Sequence, residues 1–114
     1  MNLCIVGTGY VGLVSAACFA EMGNDVCCVD VNPTIVENLR QGKVHIYEPG
    51  LDELVKRNVA EGRLRFTTKV AEGMENALFV FITVGTPPRE DGSCDLSFVY
   101  QVARDIGANM NDYK

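Results

Sequence analysis

Residues 3–30 contain the pattern that restricts the fold of this chain most. An apolar run over residues 3–6 leads into Gly7-Thr8-Gly9-Tyr10-Val11-Gly12, after which a helical pattern begins. A second apolar run over residues 26–29 ends on Asp30. Glycine-rich turns are common, but a G-x-G-x-x-G string that follows a strand, opens a helix and precedes a strand ending on an acid is typical of a dinucleotide-binding βαβ unit.

Each residue type in this unit suits a dinucleotide. Gly7 permits the tight turn out of the strand, Gly9 lets a pyrophosphate approach the backbone, and Gly12 lets the helix pack closely on the sheet. The first N–H groups of the helix carry the positive end of its dipole and attract phosphate. Asp30 can accept hydrogen bonds from a ribose 2′-hydroxyl and would repel a 2′-phosphate, so we predict NAD rather than NADP. Alternatively, the glycines form an ordinary strand-helix turn that binds no ligand, and Asp30 is a solvated acid at the end of a strand.

The rest of the chain alternates strands with helices. The first helix is predicted over about residues 11–22, and residues 63–67 alternate polar with apolar side chains, as in a strand near a sheet edge. The unbroken apolar run over residues 78–84 predicts a central buried strand. We therefore predict an α/β fold with a Rossmann-type doubly wound parallel sheet, incomplete at about four strands, in the order 3-2-1-4. The apolar stripe of the first helix should comprise Val11, Val14, Cys18, Phe19 and Met22.

Three further residues, Thr86, His45 and Tyr10, are polar and lie near the predicted site or in a loop. Thr86 and the Pro87-Pro88 pair follow the fourth strand at its carboxyl end, where open α/β sheets bind ligands, and a rigid turn is the alternative. His45 has no acid-base partner at a recognisable spacing, so we expect it to be structural or exposed. Tyr10 could cover the phosphates or pack at the surface. We predict no catalytic residue and no metal site.

Composition excludes several classes of protein. A length of 114 residues, with 47% hydrophobic and 22% charged residues, fits one globular domain. The net charge of -5 and the absence of any Lys/Arg run argue against a nucleic-acid or anionic-membrane partner. We expect neither a signal peptide nor a membrane span, and a cytoplasmic location. The five cysteines lack C-x-x-C spacing and mostly occupy apolar positions, so they should be reduced core thiols.

Four segments together carry a family resemblance. They are residues 7–14, the Val29-Asp30-Val31 strand end, the loop Ile46-Tyr47-Glu48-Pro49-Gly50-Leu51, and Val84-Gly85-Thr86-Pro87-Pro88 followed by Asp91-Gly92-Ser93. In combination they strongly resemble the start of bacterial UDP-glucose 6-dehydrogenases. The resemblance covers essentially the whole chain. GDP-mannose and UDP-N-acetylmannosamine dehydrogenases share this nucleotide-binding half. The resemblance therefore indicates the enzyme family more firmly than the sugar that is oxidised.

The resemblance implies a specific domain organisation and reaction. Residues 1–114 would be the N-terminal NAD-binding domain of a longer homo-oligomeric enzyme that oxidises the C6 alcohol of UDP-glucose to UDP-glucuronate with two NAD. The UDP-sugar would be bound mainly by a later domain, which would also hold the catalytic thiol, so these residues alone should be inactive. NAD would meet the segment from Gly7 to Gly12, with Val11 at the phosphates, Asp30 at the ribose and Thr86 after the fourth strand. One departure is Ile35, where bacterial members often have Lys.

The same motif would also suit a protein that binds a nucleotide but catalyses no reaction. A non-catalytic nucleotide sensor would bind NAD, NADH or an adenine nucleotide and signal to a partner domain. The two hypotheses differ in what should follow Lys114, either a second α/β domain with a Cys or a regulatory domain.

Overall fold

One parallel sheet forms the centre of the molecule. The computed structural model describes residues 1–114. Its strands are β1 (Asn2–Val6), β2 (Asp25–Val29), β3 (Leu64–Thr67) and β4 (Phe79–Ile82), and all are paired in parallel in the order β3-β2-β1-β4. The predicted fold class and strand order are therefore confirmed. The helices are α1 (Tyr10–Glu21), α2 (Pro33–Arg40), α3 (Leu51–Ala60), α4 (Val70–Met74) and α5 (Ser97–Asn109).

The two faces of the sheet carry separate apolar clusters. Side chains alternate along a strand, so Leu3 and Ile5 of β1 lie on one face while Cys4 and Val6 lie on the other. The first face packs against α1, α2 and α3, and the second against α4 and α5. The sheet thus has helices on both faces, as parallel sheets require. None of the helices combines the length and apolar character needed to cross a membrane.

The predicted apolar stripe of α1 is wrong in part, because Val14 and Phe19 pack against the core but the other three residues are exposed. Val11 and Met22 are 64% and 76% exposed, although both belong to the predicted stripe. The helix buries Leu13 and its small residues, because small side chains allow its backbone to lie close to the sheet. An apolar periodicity that includes small residues does not distinguish the buried face of the helix from the exposed one. The buried positions of α1 are Gly12, Leu13, Ala16, Ala17 and Ala20.

The prediction that the fourth strand is buried is wrong for this structure, although its edge position follows from the predicted strand order. β4 lies at the edge of the sheet and pairs only with β1. Phe79 and Phe81 are 49% and 38% exposed, and no residue of α5 is fully buried. Phe81 does pack on Phe19 of α1, with ring centroids 5.5 Å apart. The apolar run identified a strand correctly, but it could not tell which faces neighbouring helices cover.

The cysteines divide into buried and exposed groups. Cys4, Cys27 and Cys28 lie in the strands and are buried, as predicted, whereas Cys18 and Cys94 are exposed. All five are free thiols. Burial raises the pKa of Cys4 to about 12, so this thiol is protonated at neutral pH and is a poor nucleophile.

A polar network joins the carboxyl end of α1 to α3. The buried Asn58 donates from Nδ2 to Glu21 Oε2 and to the Leu54 carbonyl, both at 2.8 Å. Its Oδ1 accepts a hydrogen bond from Arg63 Nε at 3.0 Å. Arg57 Nη2 lies 3.0 Å from Glu21 Oε1. Hydrogen bonds from Arg57 and then Asn58 lower the pKa of Glu21, because they favour its charged form.

The network predicts a contribution to acid unfolding. Because the pKa of Glu21 is lower in the folded than in the unfolded chain, its stabilising effect is complete above the unfolded pKa and disappears as pH falls through the folded pKa. We expect the free energy of unfolding to fall more steeply below about pH 4.5 in the parent protein than in Glu21→Gln. Urea unfolding at a series of pH values checks this, with the exposed Glu75→Gln as control. Equal slopes in the parent and Glu21→Gln would contradict it.

Candidate dinucleotide site

The turn between β1 and α1 requires glycine at two positions. Gly7 has a φ of 106°, and a Cβ there would lie 2.8 Å from the Thr83 carbonyl oxygen. A Cβ at Gly12 would overlap the Gly7 carbonyl oxygen and lie 2.5 Å from Thr83 Oγ1. The single hydroxyl hydrogen of Thr83 is shared between the carbonyl oxygens of Val6 at 2.9 Å and Gly7 at 3.0 Å. Thr83, which immediately follows β4, therefore holds the backbone of the turn in place through these carbonyl oxygens.

Gly9 differs from these two glycines. Its φ of −72° and ψ of −167° are extended values that any residue can adopt. A Cβ at Gly9 would meet no atom within 4 Å. Neither the backbone angles nor the packing of the folded chain require glycine here, and the space above Gly9 is open. That space belongs to a cleft of about 470 Å³ lined by Gly7, Gly9, Tyr10, Val11, Thr83, Val84, Gly85, Thr86 and Phe98.

The amino end of α1 opens into this cleft. Gly9 is the N-cap residue and has no side chain to bond the first-turn N–H groups, and no acid lies in the first turn. These N–H groups have no helical acceptors and carry the positive end of the helix dipole. The open space and the free donors together fit a phosphate group of a dinucleotide.

Asp30 lies beside Thr8, at the carboxyl end of β2. The backbone N–H of Thr8 donates to Asp30 Oδ2 at 3.2 Å, and the Thr8 hydroxyl donates to the same oxygen. The Asn32 N–H donates to Oδ1 at 3.0 Å. An ionised carboxylate accepts about four hydrogen bonds, so these three donors orient the group and leave acceptor capacity for a ligand hydroxyl.

Two contacts fasten the 44–50 loop to the glycine turn. Tyr10 donates its hydroxyl hydrogen to Glu48 Oε2 at 2.8 Å, and this bond raises the pKa of Tyr10 because it favours the protonated phenol. His45 Nε2 lies 2.9 Å from the Thr8 carbonyl oxygen. Tyr10 thus lines the cleft and also bonds to the loop, which the sequence had left undecided. His45 is exposed, as expected, but it also contacts the turn.

The structure places the predicted residues in the glycine turn and around the cleft beside it. Thr86 lines the same cleft as Gly9, Tyr10 and Val11, while Asp30 is joined to the turn through Thr8. Three more residues shape the site in ways that were not predicted: Thr83, His45 and Glu48. A polar residue ending an apolar strand marks Thr83, but no local pattern marks a contact between the 44–50 loop and the turn.

A parallel sheet in this order, with a glycine turn after β1 and an acid at the end of β2, defines a Rossmann-type dinucleotide-binding domain. Comparison with known proteins makes the assignment more specific. Residues 1–114 match the UDP-glucose/GDP-mannose dehydrogenase family, NAD binding domain, and the chain belongs to this family.

Two curated relatives are similar along nearly the whole chain. A UDP-glucose 6-dehydrogenase of Pseudomonas aeruginosa is 54% identical over 110 residues, which cover 96% of this chain and 24% of that protein. A UDP-glucose 6-dehydrogenase of Rhizobium meliloti is 49% identical over 114 residues, covering 99% of this chain and 26% of that protein. The chain therefore spans about a quarter of the length of these relatives.

Solved structures agree with the assignment. A ternary complex of GDP-mannose dehydrogenase from Pseudomonas aeruginosa superposes with a TM-score of 0.92 at 39% identity, covering 96% of this chain and 25% of that chain. A UDP-glucose dehydrogenase from Pyrobaculum islandicum gives 0.90 at 48% identity, covering 95% and 25%. The resemblance and the assignment of NAD as the cofactor are confirmed at the level of the family.

Proposed function

We propose that NAD binds along the cleft with its pyrophosphate above Gly9 and at the amino end of α1. The observation that carries this proposal is the open space at Gly9, a glycine that the fold alone does not need. Free N–H groups in the first turn supply hydrogen bonds and a positive potential to the phosphates. In this arrangement NAD would contact Gly7, Gly9, Tyr10, Val11 and Thr86, which line the cleft. Thr8 and Gly12 are buried beside them and would hold the shape of the turn.

Asp30 would bind the adenosine ribose. Its carboxylate is already oriented by Thr8 and Asn32, so binding a ribose hydroxyl would need little rearrangement of the side chain. The negative charge would repel the 2′-phosphate of NADP. The Thr8 contacts also connect the ribose position with the phosphate position, since Thr8 immediately precedes Gly9.

For the whole protein we propose oxidation of the C6 alcohol of UDP-glucose to the carboxylate of UDP-glucuronate. This change removes four electrons, so it consumes two NAD, each of which accepts one hydride, and water supplies the second carboxylate oxygen. Residues 1–114 would bind and orient NAD, and the groups that act on the sugar would lie in a later domain. Supporting the choice of sugar, two UDP-glucose 6-dehydrogenases are 54% and 49% identical to this chain, against 40% for a GDP-mannose 6-dehydrogenase of Pseudomonas syringae.

Two alternative functions can be distinguished from this one by product analysis. A GDP-mannose or UDP-N-acetylmannosamine dehydrogenase would use the same NAD site with another sugar, and a nucleotide sensor would bind NAD without oxidising any sugar. The cytoplasmic location, the homo-oligomeric state and the absence of nucleic-acid and membrane partners stay predictions.

Product analysis of the full-length gene product tests the activity. With UDP-glucose and excess NAD we expect two NADH per UDP-glucuronate formed, measured by absorbance and by chromatography. GDP-mannose and UDP-N-acetylmannosamine serve as competing substrates. Faster oxidation of either of these two would show that UDP-glucose is not the preferred substrate. NAD binding without oxidation of any of the three sugars would favour the nucleotide sensor.

A further inference from the structure

His45 contacts the glycine turn but has no role in the function proposed above. Its Nε2 lies 2.9 Å from the carbonyl oxygen of Thr8, 37 residues earlier in the chain. Val44 and Ile46, on either side, pack against the main apolar cluster and anchor the loop. His45 is exposed between these two anchors and reaches the glycine turn.

The direction of the hydrogen bond follows from its acceptor. A carbonyl oxygen can only accept, so Nε2 of His45 carries the hydrogen and donates it to Thr8. Thr8 is thereby bonded at three atoms, because its N–H and hydroxyl both donate to Asp30. The residue before Gly9 is consequently held from two sides, by β2 and by the 44–50 loop.

Holding this carbonyl also determines the orientation of the next N–H group. The carbonyl of Thr8 and the N–H of Gly9 belong to one peptide plane, which is trans, so the two groups point in opposite directions. A hydrogen bond accepted by the carbonyl further polarises the N–H group. The Gly9 N–H donates to no backbone carbonyl of the chain.

We propose that His45 is a positioning residue for the dinucleotide pyrophosphate. By donating to the Thr8 carbonyl it holds the Thr8–Gly9 peptide so that the Gly9 N–H is oriented and polarised for a phosphate oxygen. The inference rests on the proposed NAD site and assigns a role to a loop residue outside the glycine motif. The bond between Tyr10 and Glu48 fastens the same loop independently, so variants at His45 should keep the loop in place.

Two substitutions at His45 separate a positioning role from a general structural one. His45→Leu removes the donor, whereas His45→Gln keeps an N–H donor at a similar reach. In calorimetric titrations of the full-length gene product, we expect His45→Leu to weaken NAD binding about 5-fold to 10-fold, the usual size of the loss of one neutral hydrogen bond. His45→Gln should stay within about 2-fold of the parent. Binding of adenosine, which has no phosphate, should change in neither variant.

The outcomes separate this inference from the site on which it rests. A parent protein that does not bind NAD overturns the proposed site and the role of His45 with it. If the parent binds NAD and His45→Leu binds it equally well, the site stands and the positioning role is overturned. An equal loss of NAD and adenosine binding in His45→Leu, or a failure of His45→Gln to restore NAD binding, also overturns it.

Discussion

Alanine at Gly9 is expected to weaken NAD binding by about 100-fold or more, while the free energy of unfolding stays within about 1 kcal/mol of the parent value. The backbone angles of Gly9 suit any residue, and a Cβ there meets no protein atom within 4 Å. The added methyl group would instead occupy the space proposed for the pyrophosphate. Calorimetric titration with NAD and urea unfolding of the full-length gene product measure the two quantities separately.

Gly107 in α5 provides the matched control. A Cβ at Gly107 also meets nothing within 4 Å, but the residue lies outside the cleft. Gly107→Ala should therefore leave NAD affinity unchanged and should not lower stability, since alanine is the better helix former. If Gly9→Ala bound NAD as tightly as the parent, the pyrophosphate could not lie above Gly9.

Alanine at Gly12 is expected to lower the free energy of unfolding by about 3 kcal/mol, the upper end of the usual effect of overpacking. The new Cβ would overlap the Gly7 carbonyl oxygen and approach Thr83 Oγ1 to 2.5 Å. The backbone oxygen cannot move without shifting the turn, and Thr83 already bonds Val6 and Gly7. Helix α1 would have to move away from the sheet.

Urea unfolding followed by circular dichroism measures this effect. Gly9→Ala serves as the comparison, because it adds the same methyl group three residues earlier in the same turn. The pair should separate cleanly, with Gly12→Ala losing stability and Gly9→Ala losing only ligand. Stability of Gly12→Ala close to that of the parent would show that the close approach of helix and strand is not as tight as the structure has it.

The fold could be predicted largely because local patterns and general rules act together. Two apolar runs, a glycine turn and a terminal acid identify β1, α1 and β2, and the handedness of parallel crossovers limits the strand order. The exact burial could not be predicted. Apolar periodicity did not show that Ala16 and Ala17 would pack on the sheet while Val11 faced outward, because burial depends on how closely the helix approaches.

The site was predictable where it follows the chain and unpredictable where it depends on long-range contacts. Gly7, Gly9 and Thr86 stand at positions that the order of strands brings together. The bond from His45 to Thr8 joins residues 37 apart, through a loop that has no regular structure. Such a contact depends on where the anchors Val44 and Ile46 settle on the core, which the sequence pattern does not specify.

Comparison of NAD with NADP tests the role of Asp30 in the proposed NAD site. Calorimetric titration of the full-length gene product should show NAD binding at least about 10-fold tighter than NADP, because Asp30 repels a 2′-phosphate. In Asp30→Asn, which removes the charge and keeps the size of the side chain, NAD should bind more weakly and the preference over NADP should shrink. A parent protein that binds NADP as tightly as NAD, or a preference unchanged in Asp30→Asn, would contradict the role of Asp30 and with it the proposed NAD site.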